Sequence, residues 1–92
     1  MNAISDSSRP SLAKKARLKW DEVRQKNLLL FPEGVLVLNN TACEVLELCD
    51  GNRTVAEIVS LLVAKYGNDS IAADIKHVLA RLVEKSHVTL TE

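Results

Sequence analysis

Histidine and cysteine, which supply many catalytic groups and most transition-metal ligands, are scarce in this 92-residue chain, which has two of each. His77 and His87 lie far apart, and neither has a carboxylate or thiol at a spacing typical of a site. Cys43 and Cys49 form no Cys-x-x-Cys pair, and their spacing along a helix puts them on different sides of it. We therefore expect buried, reduced cysteines, no metal site and no catalytic residue.

Long apolar runs are also missing, although 47% of the residues are hydrophobic. No run approaches the ~20 residues that cross a bilayer, so no membrane-spanning helix is expected. Residues 1–10 are polar, which argues against a secretory signal and predicts a cytoplasmic protein. Aromatic residues make up only 3% of the chain, so the core must be aliphatic. A chain of this length suits a single domain with little room for a deep substrate pocket.

Neither sign of charge is in excess overall, because 12 Lys and Arg residues balance 12 Asp and Glu residues. The distribution is uneven: residues 1–26 contain seven basic and three acidic residues, and residues 27–92 contain five and nine. A nucleic-acid-binding protein needs a concentrated basic face on the element that contacts the nucleic acid. The basic N-terminal part instead fits either contact with an acidic partner or a solvated tail.

What the sequence does contain is a pair of short apolar runs, Leu28–Phe31 and Val35–Leu38, separated by a Pro-Glu-Gly turn. This pattern predicts a β-hairpin. Residues Ala16–Asp21 alternate apolar and charged residues and predict a third antiparallel strand. The second run lacks the Lys or Pro that usually protects an edge strand. Such an edge is either covered by a helix and a partner or built to receive another strand.

Three amphipathic helices are predicted after the hairpin. The first begins after Asn39, the second follows the capping-box sequence Thr54–Glu57, and the third follows Ser70. The order predicts an α+β domain, similar to a winged helix-turn-helix, with a three-stranded antiparallel sheet followed by three helices. Residues 1–15 are predicted to be a mostly flexible tail and residues 16–92 a single domain. His87–Leu90 is predicted either to form a short strand or to fray.

Peptide binding is the function that this arrangement favours. An extended peptide could add to the open edge, with main-chain hydrogen bonds for affinity and side-chain pockets for selection. The edge consists of Val35, Leu36, Val37 and Leu38, and the third helix would supply the groove wall through Ile75, Val78, Leu79 and Leu82. The alternative is that the whole apolar arc of this helix is core, which is the favoured interpretation for Ile75 and Leu82 taken individually.

A small winged-helix DNA-binding regulator is the alternative function. The third helix carries Lys76, Arg81 and Lys85, but Asp74 and Glu84 share its surface. A DNA site typically needs about 6–10 phosphate contacts, which an acidic helical half cannot supply. Nucleic-acid binding is therefore disfavoured.

Three stretches of the sequence resemble the PqqD family. They are Arg17-Leu18-x-x-Asp21, Leu28-Leu29-Leu30-Phe31-Pro32-Glu33-Gly34, and a longer motif from Leu38 to Ile58. The most specific part is Cys49-Asp50-Gly51-x-Arg53-Thr54-Val55-x-Glu57-Ile58. The similarity extends from about Pro10 to Leu90.

The resemblance implies a small peptide chaperone of pyrroloquinoline quinone biosynthesis, a recognition element for ribosomally made peptides that are later modified. Such proteins bind the precursor peptide PqqA and interact with the radical S-adenosylmethionine enzyme PqqE. The family is non-catalytic and carries no cofactor. By motif position, the peptide would add beside Val35–Leu38 and contact the helix that follows Ser70.

Overall fold

A computed structural model describes residues 4–91 of the chain. Five strands and three helices follow one another in the order β1 (Arg9–Leu12), β2 (Arg17–Asp21), β3 (Lys26–Phe31), β4 (Gly34–Leu38), α1 (Asn40–Glu47), α2 (Val55–Tyr66), α3 (Ile71–Glu84) and β5 (Val88–Thr91). The predicted α+β class and the three helices are confirmed. The predicted order of one three-stranded sheet followed by three helices is incomplete, because the five strands form two sheets.

The larger sheet is the predicted antiparallel meander, in the order β2-β3-β4. Its second hairpin turns at Pro32-Glu33, so that Phe31 pairs with Gly34 and Leu29 with Leu36. Side chains alternate between the two faces of a strand. Leu29, which is completely buried, therefore points towards the helices, whereas its neighbours Leu28 and Leu30 point to the other face.

The smaller sheet consists of β1 and β5, which pair antiparallel from Arg9 with Thr91 to Leu12 with Val88. Strand β1 lies within residues 1–15, the segment predicted to be a mostly flexible tail. Residues 1–3 of that segment lie outside the described part. The pairing joins segments near the two ends of the chain, so no local sequence pattern predicts it. It also settles the C-terminal alternative, because β5 is a strand.

The segment before β1 is tied to the start of α2. The carbonyls of Asp6 and Ser8 accept hydrogen bonds from the backbone N–H groups of Ala56 and Val55, at 3.1 and 2.9 Å. The first N–H groups of a helix have no partner within the helix. The N-terminal segment therefore satisfies two of them, and this contact fixes residues that the sequence alone suggested were free.

Local sequence signals set the start of α1 and both ends of α2 as predicted, whereas Ser70, the residue before α3, makes no side-chain capping hydrogen bond. The Asn39 side chain accepts from the N–H of Ala42 at 2.8 Å and caps α1. Thr54 and Glu57 form a complete capping box at the start of α2. Gly67 ends α2 in the left-handed conformation, at φ 64°, which a residue with a Cβ adopts only at a cost. These caps position α3, which follows directly, against the rest of the domain.

The core has two parts. One lies between the larger sheet and the helices and includes Leu29, Leu38, Leu46 and Leu82. The other lies among the three helices and includes Val45, Ile58, Ile75 and Leu79. Helix α3 contributes to both parts, so its position relative to β4 is set by packing on two sides. Cys43 and Cys49 are both buried and unpaired, as predicted.

Candidate functional site

Strand β4 is an edge strand: β3 pairs with one side of it, and no strand within residues 4–91 pairs with the other side. Phe31 and Gly34 flank a two-residue turn and form a hydrogen-bonded pair, and such pairs alternate along an antiparallel ladder. Leu36 and Leu38 therefore bond to β3. The N–H and C=O groups of Val35 and Val37 point the other way, towards the open edge. The strand offers these two donors and two acceptors to an incoming backbone.

A groove runs between this edge and α3. Its volume is about 240 Å³. Its lining is mostly apolar, with a cationic end, and consists of Leu36, Val37, Leu38, Asn39, Ala42, Val78, Arg81, Leu82 and Lys85. Leu36, whose side chain is on the groove face of β4, remains 36% exposed although it is a large apolar residue. Val37 adjoins the groove at the strand edge, but its side chain lies on the other face of the strand. Exposed apolar side chains beside an unpaired strand are typical of a surface that binds another chain.

The structure brings six of the eight predicted site residues to this place. Val35 lies on the open edge, and five of the predicted residues line the groove: Leu36, Val37, Leu38, Val78 and Leu82. Leu38 and Leu82 are largely buried at its floor, at 7% and 5% exposure. Their contact with a ligand would be limited to one face of the side chain.

Ile75 and Leu79, which were also predicted for the groove wall, do not line the groove. Both are completely buried in the core among the three helices, on the side of α3 that faces away from the groove. The reason is geometric. The apolar arc of α3 is wide enough to serve two partners, and α1 and α2 occupy the flank that contains Ile75 and Leu79. Only the flank that contains Val78 and Leu82 faces β4.

The sequence analysis did not assign Arg81 and Lys85 to this site. Arg81 lies in the last turn of α3 and Lys85 directly follows the helix, and together they form the cationic end of the groove. Neither takes part in an ion pair among the described residues, whereas Lys76 on the same helix pairs with Asp6 at 3.0 Å. No carboxylate lines the groove. The spacing of four positions between Arg81 and Lys85 was the sequence signal that could have grouped them. Only the structure shows that this part of the chain runs beside the edge of β4.

A second depression, of about 360 Å³, lies over α1 and α2, and its lining includes Glu44 and Lys65, which bond to each other. Glu44 accepts from Lys65 Nζ at 2.7 Å and from the Tyr66 hydroxyl. The hydrogen bond from Lys65, and then that from Tyr66, lowers the pKa of Glu44 below its ordinary value. These polar groups satisfy one another and tie α2 to α1. We assign them a structural role.

The described residues contain no group of His, Cys, Asp and Glu side chains that could hold a metal ion. Burial raises the pKa of Cys49 to about 12, and burial also raises that of Cys43, so neither thiol resembles an activated nucleophile. Among residues 4–91 no helix is both long and apolar enough to cross a membrane. The chemistry that the site offers is main-chain pairing, apolar contact and positive charge.

Comparisons with known proteins show which family the chain belongs to. The family model "Coenzyme PQQ synthesis protein D (PqqD)" matches residues 27–88, and the chain belongs to this family. The chain is 43% identical over 89 residues to the PqqA binding protein of Rhodopseudomonas palustris strain HaA2, covering 95% of this chain and 87% of that protein. It is 44% identical over 85 residues to part of the bifunctional coenzyme PQQ synthesis protein C/D of Methylorubrum extorquens. That match covers 90% of this chain and 23% of the bifunctional protein.

Solved structures show the same fold. The solution NMR structure of the PqqD part of Methylobacterium extorquens PqqCD superposes with a TM-score of 0.80, at 42% identity and over 95% of both chains. That protein is described as a functional, stand-alone recognition element for ribosomally synthesized and post-translationally modified peptides. The heterocyclase TruD contains a similar fold, with a TM-score of 0.66 at 24% identity over 91% of this chain and 12% of TruD.

Proposed function

We propose that this chain is a non-catalytic peptide adaptor of the cytoplasm, which binds the precursor peptide PqqA by strand addition to β4 and presents it to PqqE. The observation that carries the proposal is the open edge at Val35 and Val37, with an apolar groove beside it. The relatives named PqqA binding protein support the choice of peptide. The family resemblance supports the choice of enzyme.

The geometry of the edge and groove supports one arrangement of the bound peptide. A strand added to β4 would exchange hydrogen bonds with the outward-facing groups of Val35 and Val37. Every second peptide side chain would then enter the groove between Leu36 and Val78. At the end of the groove, Arg81 and Lys85 would favour a peptide carboxylate, because no protein carboxylate neutralises them there.

The free energies show which contacts must dominate. Ordering five peptide residues costs about 5–10 kcal/mol of backbone entropy. Four ladder hydrogen bonds return about 1 kcal/mol each, which is less than that cost. A buried large apolar side chain contributes about 1.5–3 kcal/mol. Two or more apolar anchors in the groove are therefore needed, so selectivity should depend on the anchors and not on the ladder.

Titration of isotope-labelled protein with PqqA tests the proposal. We expect backbone amide shifts at Val35 and Val37 and along the exposed side of α3 at Val78 and Arg81. Residues at the far end of α2, such as Tyr66, should change little. Shifts confined to α1 and α2, or none at all, would reject strand addition at β4.

Two controls separate this function from the alternatives. A DNA mobility shift at low salt should show no retention, because Lys76 is engaged with Asp6 and the acidic residues of α3 remain. Calorimetry against PqqA with and without PqqE distinguishes an adaptor from a purely structural subunit. A structural subunit would bind the enzyme without measurable affinity for the peptide.

A further inference from the structure

The larger sheet has a second face, here called the outer face, which points away from the helices. It is formed by the residues that alternate with the core residues Leu29 and Leu38. Two successive rows cross the three strands in the same order of cation, leucine and valine. The rows are Arg17, Leu30 and Val35, followed by Lys19, Leu28 and Val37.

The apolar half of this face is accessible. Val35 and Val37 are 56% and 52% exposed, and Leu30 is partly exposed. Leu28, which pairs with Lys19 and Val37 on the neighbouring strands, is buried. A solvent-facing sheet surface is normally polar, with apolar residues reserved for the core face. Two exposed valines at its margin therefore need an explanation beyond folding.

The charged half of the outer face has a single dominant sign. Arg17, Lys19 and Lys26 are exposed, and none of them takes part in an ion pair among the described residues. The acidic residue on this face is Asp21, which is bound to Arg24 at 3.5 Å and to two backbone N–H groups. Glu22 and Glu33 lie in the turns at the two ends of the sheet.

We propose that the outer face docks a second protein whose contact surface has an apolar centre bordered by Asp and Glu residues. The apolar half of the outer face would pack against the apolar centre of the partner. Arg17 and Lys19 would form ion pairs with the partner's carboxylates, which is the pattern of a complementary interface. The groove lies on the opposite face of β4, so the partner and the peptide bind at the same time.

The two faces share strand β4, and this links the two binding events. A peptide strand added to the edge presents every second side chain to the groove and the others to the outer face, next to Val35 and Val37. The docked partner therefore contacts the protein and the bound peptide together. Peptide binding widens the docking surface by one strand, so the partner binds the loaded protein more tightly than the empty one.

A second copy of this chain fits the outer face less well than an acidic partner does. Two copies that packed through this face would form an isologous contact, which places the same surface on both sides. Arg17 and Lys19 would then lie in both halves of one interface with no acidic residues to oppose them except Asp21. Like charges at an interface oppose association.

The test uses PqqE as the partner protein, and in this choice the inference rests on the proposed function. The variant Arg17→Glu with Lys19→Glu reverses the cationic half of the outer face. The matched control, Lys14→Glu with Lys15→Glu, makes the same change of charge in the exposed turn before β2. Binding of PqqA and of PqqE is measured by calorimetry for both variants and the unmodified chain, at low and high salt.

We expect the outer-face variant to bind PqqE about tenfold more weakly at low salt, with a smaller difference at high salt, and the control to bind as the unmodified chain does. Both variants should bind PqqA normally, and PqqA should strengthen PqqE binding to the unmodified chain. Equal losses in both variants, no loss in either, or self-association through the outer face on sedimentation would each overturn the inference. Failure of the unmodified chain to bind PqqA would instead refute the proposed function.

Discussion

Replacing Val37 with proline tests strand addition at the level of a single hydrogen-bond donor. The register places the N–H of Val37 on the open edge, so proline at this position removes no bond between β3 and β4. Val37 is also about half exposed, so the change leaves the core intact. Proline is tolerated on an edge strand where its missing donor faces outward. The destabilisation should therefore remain below the ~3 kcal/mol that proline costs at a hydrogen-bonded interior position.

The effect on peptide binding should be larger than the effect on the fold. One lost hydrogen bond weakens binding by about 1 kcal/mol, and a peptide carbonyl left facing the proline ring without a donor raises the loss to about 3 kcal/mol. This range corresponds to an affinity for PqqA about 5- to 150-fold lower. Calorimetry measures the affinity, and urea unfolding measures the stability of the same sample.

Two further variants make the result interpretable. Val37→Ala removes the side chain but keeps the donor, so the difference between the Ala and Pro variants reports the backbone contact alone. Leu36→Pro removes an N–H that bonds to β3 and should unfold the hairpin. If the folded Val37→Pro variant bound PqqA as tightly as Val37→Ala, the peptide would not pair with β4 at this position, and the mechanism would be refuted.

Three other predictions concern the scaffold. Thr54→Ala should lower the free energy of unfolding by about 0.5–2 kcal/mol in urea, because it removes half of the capping box, whereas Thr54→Ser should retain most of it. Glu44→Gln should destabilise the protein near neutral pH but not in acid. The pKa of Glu44 is lowered in the folded protein, so its carboxylate contributes fully to stability above its ordinary pKa of 4.5. That contribution disappears as the pH falls through the lower pKa of the folded state. If this were wrong, the difference in unfolding temperature between the unmodified protein and the Glu44→Gln variant would stay constant between about pH 7 and pH 3. Cys49, with a pKa of about 12, should react with a thiol reagent near pH ~8 only after denaturant is added, and rapid labelling of this thiol in the native protein would contradict its burial.

The parts of the fold that were predictable from sequence are those specified by neighbouring residues. The Pro32-Glu33 turn, the Thr54–Glu57 box and Gly67 each act within a few positions, and the structure contains all three as expected. The β1–β5 sheet was not predictable because its partners are at opposite ends of the chain. Strand β1 is only four residues long and contains Pro10, so its local sequence does not identify it as a strand.

The candidate site was predictable in the same partial way. The apolar composition of β4 was enough to identify the unprotected edge, because that property belongs to the strand itself. The groove wall was not, because a helical pattern defines an arc but not which flank of the arc a neighbour covers. Leu79 and Val78 are adjacent in sequence, yet α1 and α2 bury the first, and the groove contains the second.

Different residues of α3 pack in the core and line the groove, and this explains how so small a domain can keep a binding surface open. Ile75 and Leu79 anchor the helix in the core among the helices, while Leu82 joins it to the core beneath the larger sheet. With α3 fixed on both sides, the gap to β4 does not have to close to stabilise the fold. The apolar surface left in that gap favours a ligand instead. Anchoring and binding therefore use different flanks of one helix, so a substitution at Val78 should affect the peptide more than the fold, and a substitution at Leu79 should do the reverse.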